Sequence, residues 1–288
     1  MIFGGRGGYT YRIKCEGDKG KGRGTSVKKI IMYQKRFKEE ESNIVFGTRA
    51  VIEAIKSDKD VDRILLQTGL QNELIRELRT VMAEKNIPFQ YVPPEKLNRI
   101  TNKNHQGVVA YVSEVVYHDI ETILPGVFEQ GKTPLILVLD RITDVRNFGA
   151  IARSAECAGV NAIVIPTRGS SQINGDAIKT SAGALHKIPV CRVDNLKDTL
   201  DYLKESGLAI AACTEKGSKD YYDTKLDQPL AVIMGSEENG VSEEYLKRSD
   251  VKIKIPMLGT IESLNVSVAT GIILFEVLRQ RNKVDNKQ

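Results

Sequence analysis

The chain has no tryptophan, 6% aromatic residues, three histidines and four cysteines among its 288 residues. Each shortage removes a class of protein. Cys15, Cys157, Cys191 and Cys213 form no CxxC or Cys/His spacing, which argues against structural zinc and against a disulfide framework. Their mostly apolar neighbours predict small, reduced core residues and no metal site. No unbroken apolar run reaches the roughly 20 residues a membrane span needs. The longest candidate, Val266 to Leu278, is interrupted by Ser267, Thr270 and Glu276. No basic, apolar and cleavable leader opens the sequence, so a cytoplasmic location is expected.

What is present fits a globular α/β protein long enough for two domains, with 41% apolar residues. The net charge of +5 points weakly to nucleic acid, because its distribution is uneven. Residues 1–38 hold eleven Lys/Arg against Glu16 and Asp18, a surplus of nine, so the rest of the chain carries a deficit of four. RNA affinity of that remainder must come from local patches. Residues 1–41, with GGRGGY, GDKGKGRGTSVKK and a KRFKEEES charge run, predict a disordered basic arm of the kind that holds single-stranded RNA loosely. Met32 is an alternative start that would remove most of it. Gly20, Gly22 and Gly24 follow no strand, which rules out a nucleotide-binding glycine loop.

Residues 42–117 alternate helical and extended patterns: helix near 48–56, strand 61–67, helix 72–85, strand 88–92, helix 95–100 and strand 108–116. His105 and Gln106, in the turn before the last strand, are candidates for an RNA contact or for a purely structural turn. Residues 118–133, with Pro125, Gly126 and Gly131, predict an interdomain linker. Apolar strands then recur at 135–139, 162–165, 188–193, 209–213, 230–234 and 251–255 with helices between. This alternation predicts a mainly parallel sheet covered on both faces, with ligands at the carboxyl ends of its strands. After Leu139 and Asp140 comes RITDVRNFG, with one glycine where a dinucleotide-binding loop needs several. That disfavours a dehydrogenase and also the common glycine-loop methyltransferase fold.

Three segments carry the chemistry: LDRITDVRNFGAIARSAECAGV (139–160), VIMGSEENGVS (232–242) and IPMLGTIESLNVSVATGIILFEVLRQR (255–281). In this order they resemble the signature motifs of the SpoU (TrmH) family of RNA ribose 2′-O-methyltransferases. VFGTRAVIEAI to NHQGVVAYV is similar to the ribosomal-protein-L30e-like substrate-binding domain that precedes many catalytic domains of that family. The resemblance covers roughly residues 43–281 and implies a trefoil-knotted sheet over 134–288. It further implies S-adenosylmethionine held by backbone at Gly235, Ile255 and Leu264 with Thr214 nearby, and polar site residues Asn147, Arg153, Glu237, Ser263 and Asn265. The family's arginine stands nearest the reacting hydroxyl, which gives Arg153 the task of orienting phosphate and hydroxyl rather than removing a proton, since a guanidinium stays protonated. Methyl transfer asks mostly for alignment, in keeping with His186 as the only histidine beyond residue 133.

Each of these residues also has a purely structural role open to it. Asn147 or Ser263 can cap the helix beside it, Arg153 can pair with Glu156 one turn on, and Glu237 can offset a helix dipole. Glu238, where the family usually has glycine, leaves open which carboxylate faces the site. The substrate-binding domain and the wording of the last motif imply a guanosine of 23S rRNA as target. The alternatives are a tRNA guanosine, or a non-catalytic RNA-binding protein of the same fold. The last helix is apolar around much of its circumference, through Val266, Val268, Ile272, Ile273, Phe275 and Val277, which predicts a second partner surface; the resemblance implies that the partner is the same helix region of another copy, a homodimer.

Overall fold

The computed structural model describes residues 43–57, 59–261 and 263–285, so the expected basic arm lies outside the described residues. The first layer is a four-stranded sheet of β1 (Ile44–Phe46), β2 (Val61–Gln67), β3 (Phe89–Val92) and β4 (Val108–Val112), in the order β1-β4-β2-β3. Helices α1 (Thr48–Lys56) and α2 (Glu73–Glu84) cover one of its faces and α3 (Pro94–Ile100) the other. The turn before β4 uses both candidate residues for structure: His105 Nδ1 accepts from Gly107 N at 2.9 Å, and Gln106 Oε1 accepts from Thr48 N at 3.3 Å.

The second layer is an eight-stranded sheet in the order β10-β12-β9-β11-β6-β7-β8-β5, in which every pairing is parallel. Its strands are β5 (Tyr117–His118), β6 (Leu135–Leu139), β7 (Ala162–Pro166), β8 (Val190–Val193), β9 (Ala209–Cys213), β10 (Lys219–Asp220), β11 (Leu230–Met234) and β12 (Val251–Lys254). Parallel neighbours need crossover connections, supplied by segments that carry α4 (Ile120–Glu129), α5 (Val145–Cys157), α6 (Gly175–Thr180), α7 (Leu196–Glu205) and α8 (Glu243–Arg248), while α9 (Val266–Asp285) follows the last strand and packs into the same core as α5. Because helices bury both faces, the central strands are apolar throughout. Leu135, Leu137 and Leu139 enter the core that holds α5 and α9, while Ile136 and Val138 enter the core that holds α4 and α7. Asn72, Asp119, Asp144, Asn174 and Asn195 each accept a backbone N–H at the start of a helix, fixing where five of these helices begin.

Two expectations change. Residues 118–133 do not run as an open linker: ten of them form α4, with Ile120 and Leu124 buried in the core of the larger sheet, and Tyr117 and His118 join the sheet edge. Pro125 and Gly126 lie inside α4 without ending it, since the burial of Leu124 outweighs the one backbone bond that Pro125 removes. Cys157 is exposed rather than in the core, at the end of α5; Cys191 is buried as expected. No described helix is long and apolar enough to cross a membrane.

The two sheets are joined by a buried polar cluster. Asp62 Oδ1 accepts from Tyr117 Oη at 2.7 Å and from an Arg192 guanidinium nitrogen at 3.0 Å, and Arg192 lies over the Tyr117 ring. Burial pushes the Asp62 carboxyl up to about 6, although the Tyr117 hydrogen bond and the Arg192 charge both pull it down. Arg192→Ala removes one of those pulls, so the folded carboxyl keeps its proton to a higher pH still. A carboxyl raised above its ordinary 3.8 gives full stability below that value and loses it as pH rises through the folded value. The variant is therefore expected to be about 3 kcal/mol less stable than the parent in urea at slightly alkaline pH. The deficit should shrink on acidification to about pH 5; a deficit constant with pH would place its origin elsewhere.

Candidate active site

The loops that follow β6, β9, β11 and β12 converge at one end of the sheet, where strand order reverses about β6. In open parallel sheets such a crevice at the carboxyl ends is the usual ligand site. Two side chains pin the loops. Asp140, 1% exposed, follows β6 and its Oδ2 accepts from both Ser242 N, at 2.8 Å, and Ser242 Oγ, at 2.7 Å. Arg141 holds left-handed backbone, φ 58°, and donates to both Asp140 oxygens and to Gly240 O at 3.2 Å. Nothing in the sequence pattern distinguished Asp140 from a surface acid, because its burial depends on β11 lying next to β6.

Gly235 closes the turn after β11. A Cβ there would stand 2.0 Å from Gly240 C and 2.1 Å from Val241 N, so the loop exists only because residue 235 has no side chain. Ser236 and Gly240 add a β-bridge across the same turn.

A cleft of about 450 Å³ opens against this loop. Thr214, at the end of β9, Gly235, Ile255, after β12, and Leu264, before α9, all line it, together with Ser263 and Glu237. Cys213 lines it too; burial first, then Glu215, pushes its thiol up to about 11, so it offers no thiolate at neutral pH. A second cavity of about 280 Å³ shares the 236–239 loop and Val266 with the first, and is lined on its other side by Arg141, Asp144, Asn147 and Gly169.

Glu237 stands on the wall common to both cavities. Its Oε1 accepts from Asn147 Nδ2 and, at 3.3 Å, from Asn265 Nδ2; Asn265 Nδ2 also donates to Asn147 Oδ1 at 3.0 Å. The three residues come from the β11 loop, α5 and the start of α9, so this cluster ties the three sequence motifs together. It is Glu237, not Glu238, that both amides meet. Asn147 is not a cap, since Asp144 caps α5 and accepts from Asn147 N. Ser263 is not a cap either: Asn265 Oδ1 accepts from Ser267 N at 2.9 Å, one residue before α9 begins, while Ser263 is left exposed in the cleft. Asparagine is as good a cap as serine, and α9 starts at the position that buries Val266.

Arg153 is not brought to this cluster. Six residues along α5 from Asn147, it lies about 9 Å further down the axis and about 240° round it, and it lines neither cavity. It is exposed and has no hydrogen bond or ion pair among the described residues; Glu156 pairs with Lys187 at 3.6 Å instead. The neighbouring Ser154 faces Gly271 of α9, 3.8 Å from where a Cβ would be.

Among the described residues no group of three or more His, Cys, Asp or Glu is placed to hold a metal ion. Residues 134–275 match the sequence profile of the SpoU rRNA methylase family, and residues 44–118 match that of the RNA 2′-O ribose methyltransferase substrate-binding domain. A Staphylococcus haemolyticus protein assigned to the TrmH family tRNA/rRNA methyltransferases is 36% identical over 244 residues, covering 85% of this chain and 98% of its own. Among solved structures, the SpoU methyltransferase AviRb from Streptomyces viridochromogenes aligns with a TM-score of 0.54 and 25% identity over 84% of this chain and 90% of its own. The A. aeolicus TrmH/SpoU tRNA modifying enzyme aligns with a TM-score of 0.50 and 34% identity over 54% of this chain and 78% of its own.

Proposed function

Because this chain belongs to the SpoU (TrmH) family of S-adenosylmethionine-dependent RNA methyltransferases, we propose that it methylates a ribose 2′-hydroxyl, on a guanosine of 23S rRNA, at the wall between its two cavities. The observation that carries this reading is the meeting of Asn147, Glu237 and Asn265 beside a cleft lined by Thr214, Gly235, Ile255 and Leu264. The residues fit the cofactor. The cleft volume lies within the roughly 300–1,000 Å³ usual for small-ligand sites. Ile255, Met257 and Leu264 offer apolar surface for a purine, and the close approach of Gly235 to Gly240 leaves main chain rather than side chains facing the ligand.

When bound, S-adenosylmethionine would supply a methyl group on a positively charged sulfur: the S–CH3 bond breaks as the O–CH3 bond forms, the sulfur departs neutral so that no residue need act as an acid, and the hydroxyl proton leaves to water. The chain's own work is alignment. Glu237 and the two asparagines hold the 236–239 loop between cofactor cleft and acceptor cavity. Asn147 and Gly169 line the acceptor side, where the RNA hydroxyl enters.

Arg153 acts there only if a second copy of the chain brings it. The surface of α9 supports that arrangement: Val266, Ile273, Leu274 and Val277 are buried, whereas Val268 and Phe275 are half exposed and share a stripe with half-buried Ile272. Seven residues apart, Val268 and Phe275 form a second apolar seam on the side of α9 that holds Gly271, which faces Ser154, the neighbour of Arg153 on α5, and a seam of this kind suits an isologous two-fold interface. The double change Val268→Glu and Phe275→Glu is expected to turn a dimer into a monomer in light scattering at micromolar concentration, and to lower methyl transfer in step. A dimer that survives both charges would move the interface elsewhere.

The choice of 23S rRNA rests on the substrate-binding domain at residues 44–118; the likeness to a tRNA modifying enzyme supports tRNA as the second reading. Labelled methyl transfer to purified 23S rRNA and to bulk tRNA, run in parallel and mapped, separates the two. Label in one guanosine of 23S rRNA is the expected result, and label in tRNA alone would replace it.

A further inference from the structure

A third hollow, of about 590 Å³, runs along the junction of the two sheets, and its chemistry is unlike the rest of the surface. Residues 39–288 carry a net charge of −4, yet three arginines, Arg63, Arg168 and Arg192, line this hollow against one acid, Asp62, which Arg192 already neutralises. Arg168 is exposed and makes no ion pair among the described residues. Phe89 forms part of the rim. It and Tyr91 lie two residues apart on β3, the edge strand of the small sheet, so both rings point to the same face. They are 48% and 47% exposed, and they meet edge to face at 5.5 Å between centroids. In a chain with so few aromatics, two half-bare rings side by side on a sheet edge are not needed for a core. The hollow shares Gly169 with the cavity that holds Asn147, so the two abut at that residue.

We propose that this junction groove binds an unpaired stretch of the RNA substrate, with a base stacked on Phe89, held edge-on by Tyr91, and the adjoining phosphates on Arg63 and Arg168. The inference rests on the reading of the chain as an RNA methyltransferase and adds to it the form of RNA it takes: single-stranded beside the target, not continuous duplex. Aromatic faces stack on any base once it is unstacked from its neighbours, while guanidinium groups track the backbone. A base paired inside a duplex cannot present a face to Phe89, so the preference for an unpaired strand follows from the rings. A protein partner would use the same rings without the arginines.

The test uses the full chain with Phe89→Ala and Tyr91→Ala combined, and Arg168→Ala separately. Both sites are exposed, so the melting temperature and S-adenosylmethionine affinity should match the parent. Binding of a short fluorescein-labelled single-stranded RNA of mixed sequence, read by anisotropy, should weaken about tenfold or more in the ring variant. Binding of a blunt duplex of the same sequence should change little. Arg168→Ala should weaken both and lower the slope of log affinity against log salt by about one. In the methylation assay the ring variant should raise KM for RNA and keep kcat. Unchanged single-strand affinity and KM in the ring variant would overturn the groove while leaving the methyltransferase reading intact. An equal loss on the duplex would overturn stacking as its mechanism. A parent that binds single strands through these rings but transfers no methyl would instead remove the reading on which the proposal rests.

Discussion

Arg153→Ala is expected to lower turnover by about 100-fold or more, the usual cost of removing one group that stabilises charge at a reacting centre, while S-adenosylmethionine binds with unchanged affinity. Arg153 lines neither cavity of its own chain, so its loss leaves the cofactor cleft untouched. It is exposed and unpaired among the described residues, so the fold should not depend on it either. The informative readout mixes two defective proteins. A chain carrying Arg153→Ala combined with one carrying Gly235→Ala should recover part of the lost activity, because the mixed dimer joins one intact cofactor cleft to one intact arginine. Calorimetry that finds cofactor binding abolished in a folded Arg153→Ala protein would return the residue to the cofactor site or to structure.

Gly235→Ala should fail at the other half of the reaction. The added Cβ would meet Gly240 and Val241 backbone at 2.0 and 2.1 Å, and backbone does not swing aside as a side-chain end does. The turn has little freedom to relax, since the Asp140 to Ser242 and Arg141 to Gly240 hydrogen bonds hold its far side. Overpacking of this kind costs about 3 kcal/mol; concentrated in one loop, it should appear as a cofactor affinity lowered roughly 100-fold with a smaller fall in melting temperature. Parent-like affinity would show that the cofactor does not use this loop.

The central strands of the larger sheet could be read from the sequence because burial on both faces writes itself as short, wholly apolar runs, LILVL at β6 and LAVIM at β11, whereas β1, β5 and β10, of two or three residues each, are too short to leave such a run. The helices announced themselves by cap and period. The segment around Pro125 did not, because a helix that buries only Ile120, Leu124 and Val127 leaves a pattern too short to outweigh its Pro and Gly. At the site, the residue types came from resemblance, and their arrangement came only from the fold. Three motifs 28 to 118 residues apart meet at Glu237, and sequence spacing carries no record of such distances in space. The same limit hid the clamp of Asp140 on Ser242, which joins residues 102 apart. It also hid the half exposure of Phe89 and Tyr91 on β3, since alternation shows which residues share a face but not how much of it is covered.

Product analysis locates the transferred methyl group. RNA treated with the full chain and methyl-labelled S-adenosylmethionine is digested to nucleosides and separated by mass spectrometry, with an alkali-treated sample alongside. Label is expected in a single 2′-O-methylated nucleoside, with one alkali-resistant linkage, because a capped 2′-oxygen cannot attack the adjacent phosphate. Label on a base with an unmodified, alkali-labile ribose would contradict it.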